Sequence, residues 1–232
     1  MQTFTSITFY QKKKDILLYK ACDGFRNYFL KCTDNTDFVI GQAFRDEFHA
    51  LHTLSHPGIP AYYRLMEQLT LPGQKGSFLA LCMEDCTSPS SGSIYSLSSI
   101  KEIMIILHKT AKILSYLLEN GILYTDLNPS NLLIRQKDNS WGVTLVDYTY
   151  CYYFLRNPHP DYDLRFSYDL SPRLRGQQIL IQELSLLLQE LLYENSINHI
   201  PSSVYRLLET GKNPSEAITL KDFSAMIAEI SI

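Results

Sequence analysis

The chain has no excess of positive charge. Its 21 lysines and arginines stand against 24 acids, giving a formal net charge of -3 at pH 7 and a pI of about 6.1. That balance builds no polyanion-binding surface and argues against nucleic acid as a partner. Long apolar runs are lacking too. The greasiest stretch, Ile100 to Tyr124, is broken by Lys101, Glu102, His108, Lys109, Lys112 and Glu119, so no membrane span is expected. The first residues, MQTFTSITFY, lack the basic start and apolar core of a signal peptide, which points to a cytoplasmic chain. Cysteine is sparse: Cys22, Cys32, Cys82, Cys86 and Cys151 are odd in number and scattered, favouring reduced thiols over a disulfide framework. Cys82 and Cys86 have no second Cys/His pair at ligand spacing, so zinc is not expected. No internal repeat is present. The 232 residues, 45% hydrophobic, suffice for one domain or two small lobes with real cores.

Residues Ile7 to Thr33 are rich in aromatic and β-branched types, interrupted by Lys12-Lys13-Lys14-Asp15 and Asp23-Gly24, and predict three short antiparallel strands. Apolar residues at Phe44, Phe48, Leu51 and Leu54 predict a helix over Gln42 to Leu54, stopped by His56-Pro57-Gly58. Strands are expected at Ala61 to Gln68 and Phe78 to Glu84, across a Pro-Gly-Gln-Lys-Gly turn. The Ser-rich stretch Thr87 to Ser98 reads as a linker. Ser99 followed by Glu102 fits a capping box opening a long helix to Asn120, with Gly121 as its stop. Tyr148 to Arg175 reads as loop, with Tyr148, Tyr150, Tyr152, Tyr153, Tyr162 and Tyr168 plus Pro158, Pro160 and Pro172. Ile179 to Leu192 is apolar nearly all round, as for a helix at the centre of a lobe. Two shorter helices are expected near Ser203 to Glu209 and Leu220 to Ile230.

Between Gly121 and Thr149, two apolar segments flank a polar turn that carries Asp126 and Asn131. Asp147 follows a short hairpin. A carboxylate, an amide five residues on and a second carboxylate ending an apolar strand suit phosphate chemistry. One acid can take a proton from an attacking hydroxyl, while the amide and the other acid hold magnesium against a triphosphate. Taken singly, Asp126, Asn131 and Pro129 are also ordinary turn formers.

Tyr124-Thr125-Asp126-Leu127-Asn128-Pro129-Ser130-Asn131 followed by Asp147-Tyr148-Thr149 resembles the HRDLxxxN and DFG motifs of protein kinases. The resemblance spans most of the chain. Tyr28-Phe29-Leu30-Lys31 sits where the family has VAIK, Glu47 lies in the following helix, and FLALCMEDC (Phe78 to Cys86) resembles the strand leading into the hinge. Ser171-Pro172-Arg173 resembles APE, and the Ile179 to Leu192 helix the central helix after it. The chain is thus similar to a compact, divergent eukaryotic-type (Hanks-type) protein kinase. The resemblance implies an α+β, protein-kinase-like bilobal fold, a single domain with a β-rich N-lobe (1–86) carrying one helix, a hinge or linker (87–98) and a mainly helical C-lobe (99–232).

It also implies ATP and Mg²⁺ as cofactors. Asp126 would be the catalytic base and Lys31, steadied by Glu47, would grip the nucleotide phosphates. Asn128 would stand for the lysine that steadies the transferring group. Asn131 and Asp147 would bind metal, and Phe29, Met83, Glu84, Cys86 and Leu133 would meet the nucleotide, with Met83 as gatekeeper and backbone groups of Glu84 to Cys86 facing adenine. A protein substrate or binding partner is implied, with no nucleic acid and no membrane.

Several supporting parts depart from the family. The first turn, Gln11-Lys12-Lys13-Lys14-Asp15, has no glycines to bring backbone N–H groups close to phosphate, and Gly24 is the only glycine before Lys31. Phe29 replaces the alanine that lies against adenine. Thr125 replaces the arginine that meets a phosphorylated activation loop, Tyr148-Thr149 replaces Phe-Gly, and Arg173 replaces the glutamate of APE. The groups with direct chemical jobs remain, so the leading expectation is a weak or constitutive serine/threonine protein kinase. A pseudokinase that binds a partner without phosphotransfer is the alternative, and a small-molecule kinase of the same fold is a third reading.

Overall fold

The computed structural model describes residues 4–87, 97–137, 140–153 and 172–230. The chain divides into two compact units, Met1–Ser88 and Pro89–Ile232. Fold class follows the α+β, kinase-like expectation: a β-rich first unit with one helix, and a mainly helical second unit.

The first unit is a five-stranded antiparallel sheet in the order β1-β2-β3-β5-β4, formed by β1 (Ser6–Lys13), β2 (Ile16–Cys22), β3 (Asn27–Asp34), β4 (Tyr62–Leu69) and β5 (Phe78–Glu84). Lys13 pairs with Ile16, so Lys14 and Asp15 make a two-residue turn, with Lys14 at φ 50°. The β2–β3 turn is held by one acid. The Asp23 carboxylate accepts the N–H groups of Phe25 and Arg26 (3.0 and 2.8 Å) and the hydroxyl of Tyr28 (2.6 Å). The Tyr28 bond first, then the two backbone donors, hold its pKa down at about 2.

Alternation along the strands sends Tyr19, Ala21, Tyr28, Leu30, Cys32, Ala80 and Cys82 into a core on one face. Leu18, Phe29, Lys31, Leu81 and Met83 therefore take the other face, the side of helix α1 (Phe38–Leu51). This helix begins four residues before the predicted start and ends three before the predicted end. The periodic pattern misplaced it because Asp37, outside the apolar stripe, caps it by accepting the Ile40 N–H at 3.0 Å. Its buried residues are Ile40, Gly41, Phe44, Glu47 and Leu51, so an acid lies on the apolar stripe.

In the second unit, α2 (Ile100–Glu119) opens with the predicted capping box between Ser99 and Glu102, and the chain leaves it through Gly121 at φ 76°. A short strand β6 (Ile122–Leu123), a 3₁₀ turn (Pro129–Asn131) and the hairpin β7 (Leu132–Lys137)–β8 (Ser140–Leu145) follow. Helices α3 (Pro172–Glu194), α4 (Ser202–Lys212) and α5 (Leu220–Ile230) complete the unit, with α3 packed against α2, α4 and α5.

Two expectations need correction here. The Tyr148 to Arg175 loop contains a strand, β9 (Tyr152–Tyr153), paired antiparallel with β6, and it gives way to α3 already at Pro172. Helix α3 is also not buried all round, since Leu186 and Tyr193 are exposed; its inward face is Leu180, Leu184, Leu187, Leu188 and Leu191. Pro158, Pro160, Tyr162, Tyr168, Ser171 and most of the expected linker (88–96) lie outside the described residues. Among the described residues, no helix is long and apolar enough to cross a membrane.

Candidate functional site

Each unit contributes one group of the residues singled out by sequence. In the first, strand β3 presents Lys31 and the buried stripe of α1 presents Glu47. The Lys31 Nζ lies 3.1 Å from Glu47 Oε2 and 3.2 Å from Oε1, with the lysine 5% exposed and the glutamate 0%. Glu47 also accepts the hydroxyl of Tyr62 on β4 at 2.6 Å, and the Phe44 ring lies 5.7 Å from the ammonium. A solvated helix acid would make none of these contacts. Tyr62 escaped the sequence reading because nothing local links it to a residue on α1.

Phe29 and Met83 are cross-strand partners on the face of Lys31, and the Phe29 ring packs edge-on against Tyr10 at 5.6 Å. At the end of β5, the Glu84 N–H donates to the Ala61 carbonyl (2.8 Å). The Cys86 N–H donates to the Glu84 carbonyl (3.1 Å), so two backbone groups of the segment expected to face adenine meet each other. Lys20, on β2, reaches the same segment through the Thr87 carbonyl (3.2 Å) and Asp85 (3.7 Å). Lys12, Lys13 and Lys14 sit on an exposed hairpin tip.

In the second unit the 3₁₀ turn folds the polar loop back on itself. Asn131 Nδ2 donates to the Asp126 Oδ2 (3.0 Å) and to the Asp126 carbonyl (2.9 Å). Asn128 Nδ2 donates to Asp126 Oδ1 and to the same carbonyl, both at 3.1 Å, and its Oδ1 accepts the Ser130 hydroxyl at 2.5 Å. Asp126 is exposed while Asn131 is buried. With its NH₂ committed to Asp126, the Asn131 oxygen is the end left to take a cation. Leu133, half-buried on β7, pairs with Thr144.

Asp147 is tied in through its neighbours. The Val146 N–H donates to the Asn131 carbonyl at 3.0 Å, joining the segment to the loop. Asp147 itself sits in the left-handed region at φ 67°, and its Oδ1 accepts the Thr149 hydroxyl at 3.4 Å. A non-glycine residue in that region carries a conformational cost that persists only where surroundings enforce it.

Tyrosine hydroxyls bond the backbone on either side of Asp147. Tyr124, at the first position of the loop motif, donates its hydroxyl to the Val146 carbonyl at 2.6 Å and meets the Tyr148 ring edge-on at 5.3 Å. Burial pushes the Tyr124 phenol well above its ordinary pKa, so it remains a donor. Tyr153 donates to the Tyr148 carbonyl at 2.7 Å. The tyrosine richness of this stretch was visible in the sequence; the atoms the hydroxyls reach were not.

An amide oxygen and a carboxylate fit Mg²⁺, which takes one or two protein oxygens and fills its shell with water and phosphate. Among the described residues, no cluster of three or more His, Cys, Asp or Glu able to hold a metal occurs.

A family model described as protein kinase domain matches residues 23–166, well over half of the 232. The chain belongs to that family. The match starts at the acid of the β2–β3 turn and takes in β3, α1, the loop with Asp126 and Asn131, and Asp147. No curated protein matches the chain.

Proposed function

We propose that the chain is an ATP- and Mg²⁺-dependent protein kinase acting on serine or threonine hydroxyls, weak or constitutive in activity. When bound, Mg²⁺ neutralises the phosphates and leaves the γ-phosphoryl group open to attack. Asn131 and Asp147 would hold the metal, and Lys31, steadied by Glu47, would hold the phosphates. Asp126, exposed and oriented by the amides of Asn131 and Asn128, would accept the proton of the substrate hydroxyl, with Asn128 beside it. Phe29, Met83, Glu84, Cys86 and Leu133 would meet the nucleotide.

The observation that carries this reading is the buried Lys31–Glu47 pair. Placing both charges out of water is costly, and an apolar pair would serve stability at least as well, so the pair is better explained by a job for the ammonium. The test is transfer of labelled phosphate from ATP with Mg²⁺ to a generic substrate or to the chain itself. Asp126→Asn should lower it by at least about a hundredfold, the range of a lost general base. Equal labelling by parent and variant would sink the proposal.

One observation favours a second reading, a protein-binding pseudokinase. The Phe29 ring stands beside Met83 and against Tyr10, where the family places alanine. That reading requires no thermal shift with Mg²⁺–ATP in the parent and a shift that emerges in Phe29→Ala.

A further inference from the structure

We propose that Tyr153, with Thr125, is a positioning residue for Asp147, fixing the metal-binding segment by hydroxyl-to-carbonyl bonds that need no phosphate group. The inference rests on the kinase reading above. Three hydroxyls take alternate carbonyls along this segment. Tyr124 holds that of Val146 (2.6 Å), Tyr153 that of Tyr148 (2.7 Å) and Thr125 that of Tyr150 (3.2 Å). The first two grip the residues on either side of Asp147, whose φ of 67° is the strained point of the segment. Tyr153 reaches back because β9 pairs with β6, Ile122 opposite Tyr153, which fixes where its buried ring can point. The Tyr148 carbonyl also takes the Cys151 N–H at 3.2 Å, closing a turn around the same oxygen.

All three acceptors are neutral backbone oxygens and all three donors are neutral hydroxyls, so this order does not depend on a charge being added. Thr125 stands where an arginine would pair with a phosphorylated loop. Its short side chain instead reaches the Tyr150 carbonyl.

The experiment compares parent, Tyr153→Phe, Thr125→Val and Thr125→Ser. Mn²⁺ affinity is read by electron paramagnetic resonance with a non-hydrolysable ATP analogue, and amide hydrogen exchange is followed over 147–151. Tyr153→Phe should keep the parent's Tm within a few degrees, weaken Mn²⁺ about five- to tenfold and speed exchange over 147–151, as expected for one lost buried hydrogen bond. Thr125→Val should weaken Mn²⁺ about threefold, and Thr125→Ser should restore it. Phosphatase treatment should leave the parent's Mn²⁺ affinity unchanged. Parent-like Mn²⁺ affinity in Tyr153→Phe, or a loss on phosphatase treatment of the parent, would overturn the inference while the kinase reading stood. A parent that binds neither Mn²⁺ nor the analogue would overturn both.

Discussion

Lys31 and Glu47 give up almost all contact with water, and their mutual attraction must offset the desolvation of both. Removing one partner leaves a buried charge without its main counterpart. Glu47→Leu is therefore expected to destabilise the chain by roughly 3–5 kcal/mol in urea denaturation, while the double change Lys31→Met with Glu47→Leu should recover most of that loss. Two additive losses would show that the pair is not coupled as the geometry indicates. The same residues show what sequence can reveal at this scale. Lys31 and Glu47 were legible as a pair through the motif, although 16 positions separate them. Tyr62 and Tyr153 were not, because their hydroxyls act on atoms fixed by other strands and helices.

Elements with local signals were read closely. Ser99, Glu102 and Gly121 define α2 because caps act within one turn of the chain. Helix α1 was displaced because its start depends on a single acid, Asp37, and its buried stripe runs through Glu47 rather than apolar residues alone. Helix α3 shows the opposite case, since its apolar composition hides an exposed edge at Leu186 and Tyr193. Contact between elements also imposes demands that composition does not announce. A Cβ on Gly211 of α4 would come within 2.4 Å of the Ser185 Cβ on α3, a position that no rotamer change relieves. Gly211→Ala should gain helix propensity yet lose stability overall, by roughly 1–3 kcal/mol for an overpacked contact. Chemical denaturation would measure it, and a stabilised variant would contradict the packing described here.

At the scale of the whole molecule, the family match ends at residue 166, so α3, α4 and α5 all lie beyond it. Ligand binding reports on the molecule as one thermodynamic system. If Mg²⁺–ATP binds the folded chain alone, nucleotide at a hundred times its Kd adds about 2.7 kcal/mol. For a chain of this size, that corresponds to a rise in Tm of roughly 5–10 °C. Chelating the metal with EDTA should abolish most of the rise, and excess Mg²⁺ should restore it. A nucleotide shift that ignores EDTA would remove Asn131 and Asp147 from the proposed metal site.

The sequence by itself determined the order of the main strands and helices, the split between a β-rich and a helical part, and the types and spacing of Lys31, Glu47, Asp126, Asn131 and Asp147, since periodicity, caps and motif spacing are properties of the chain alone. Tertiary structure decided which face of the sheet Lys31 and Phe29 share, that Glu47 is buried with Tyr62 on its carboxylate, and that tyrosine hydroxyls bracket Asp147 in a left-handed conformation. Those outcomes depend on hydrogen bonds that act only within about 3 Å. Residues far apart in sequence come that close only after strands have paired and helices have packed.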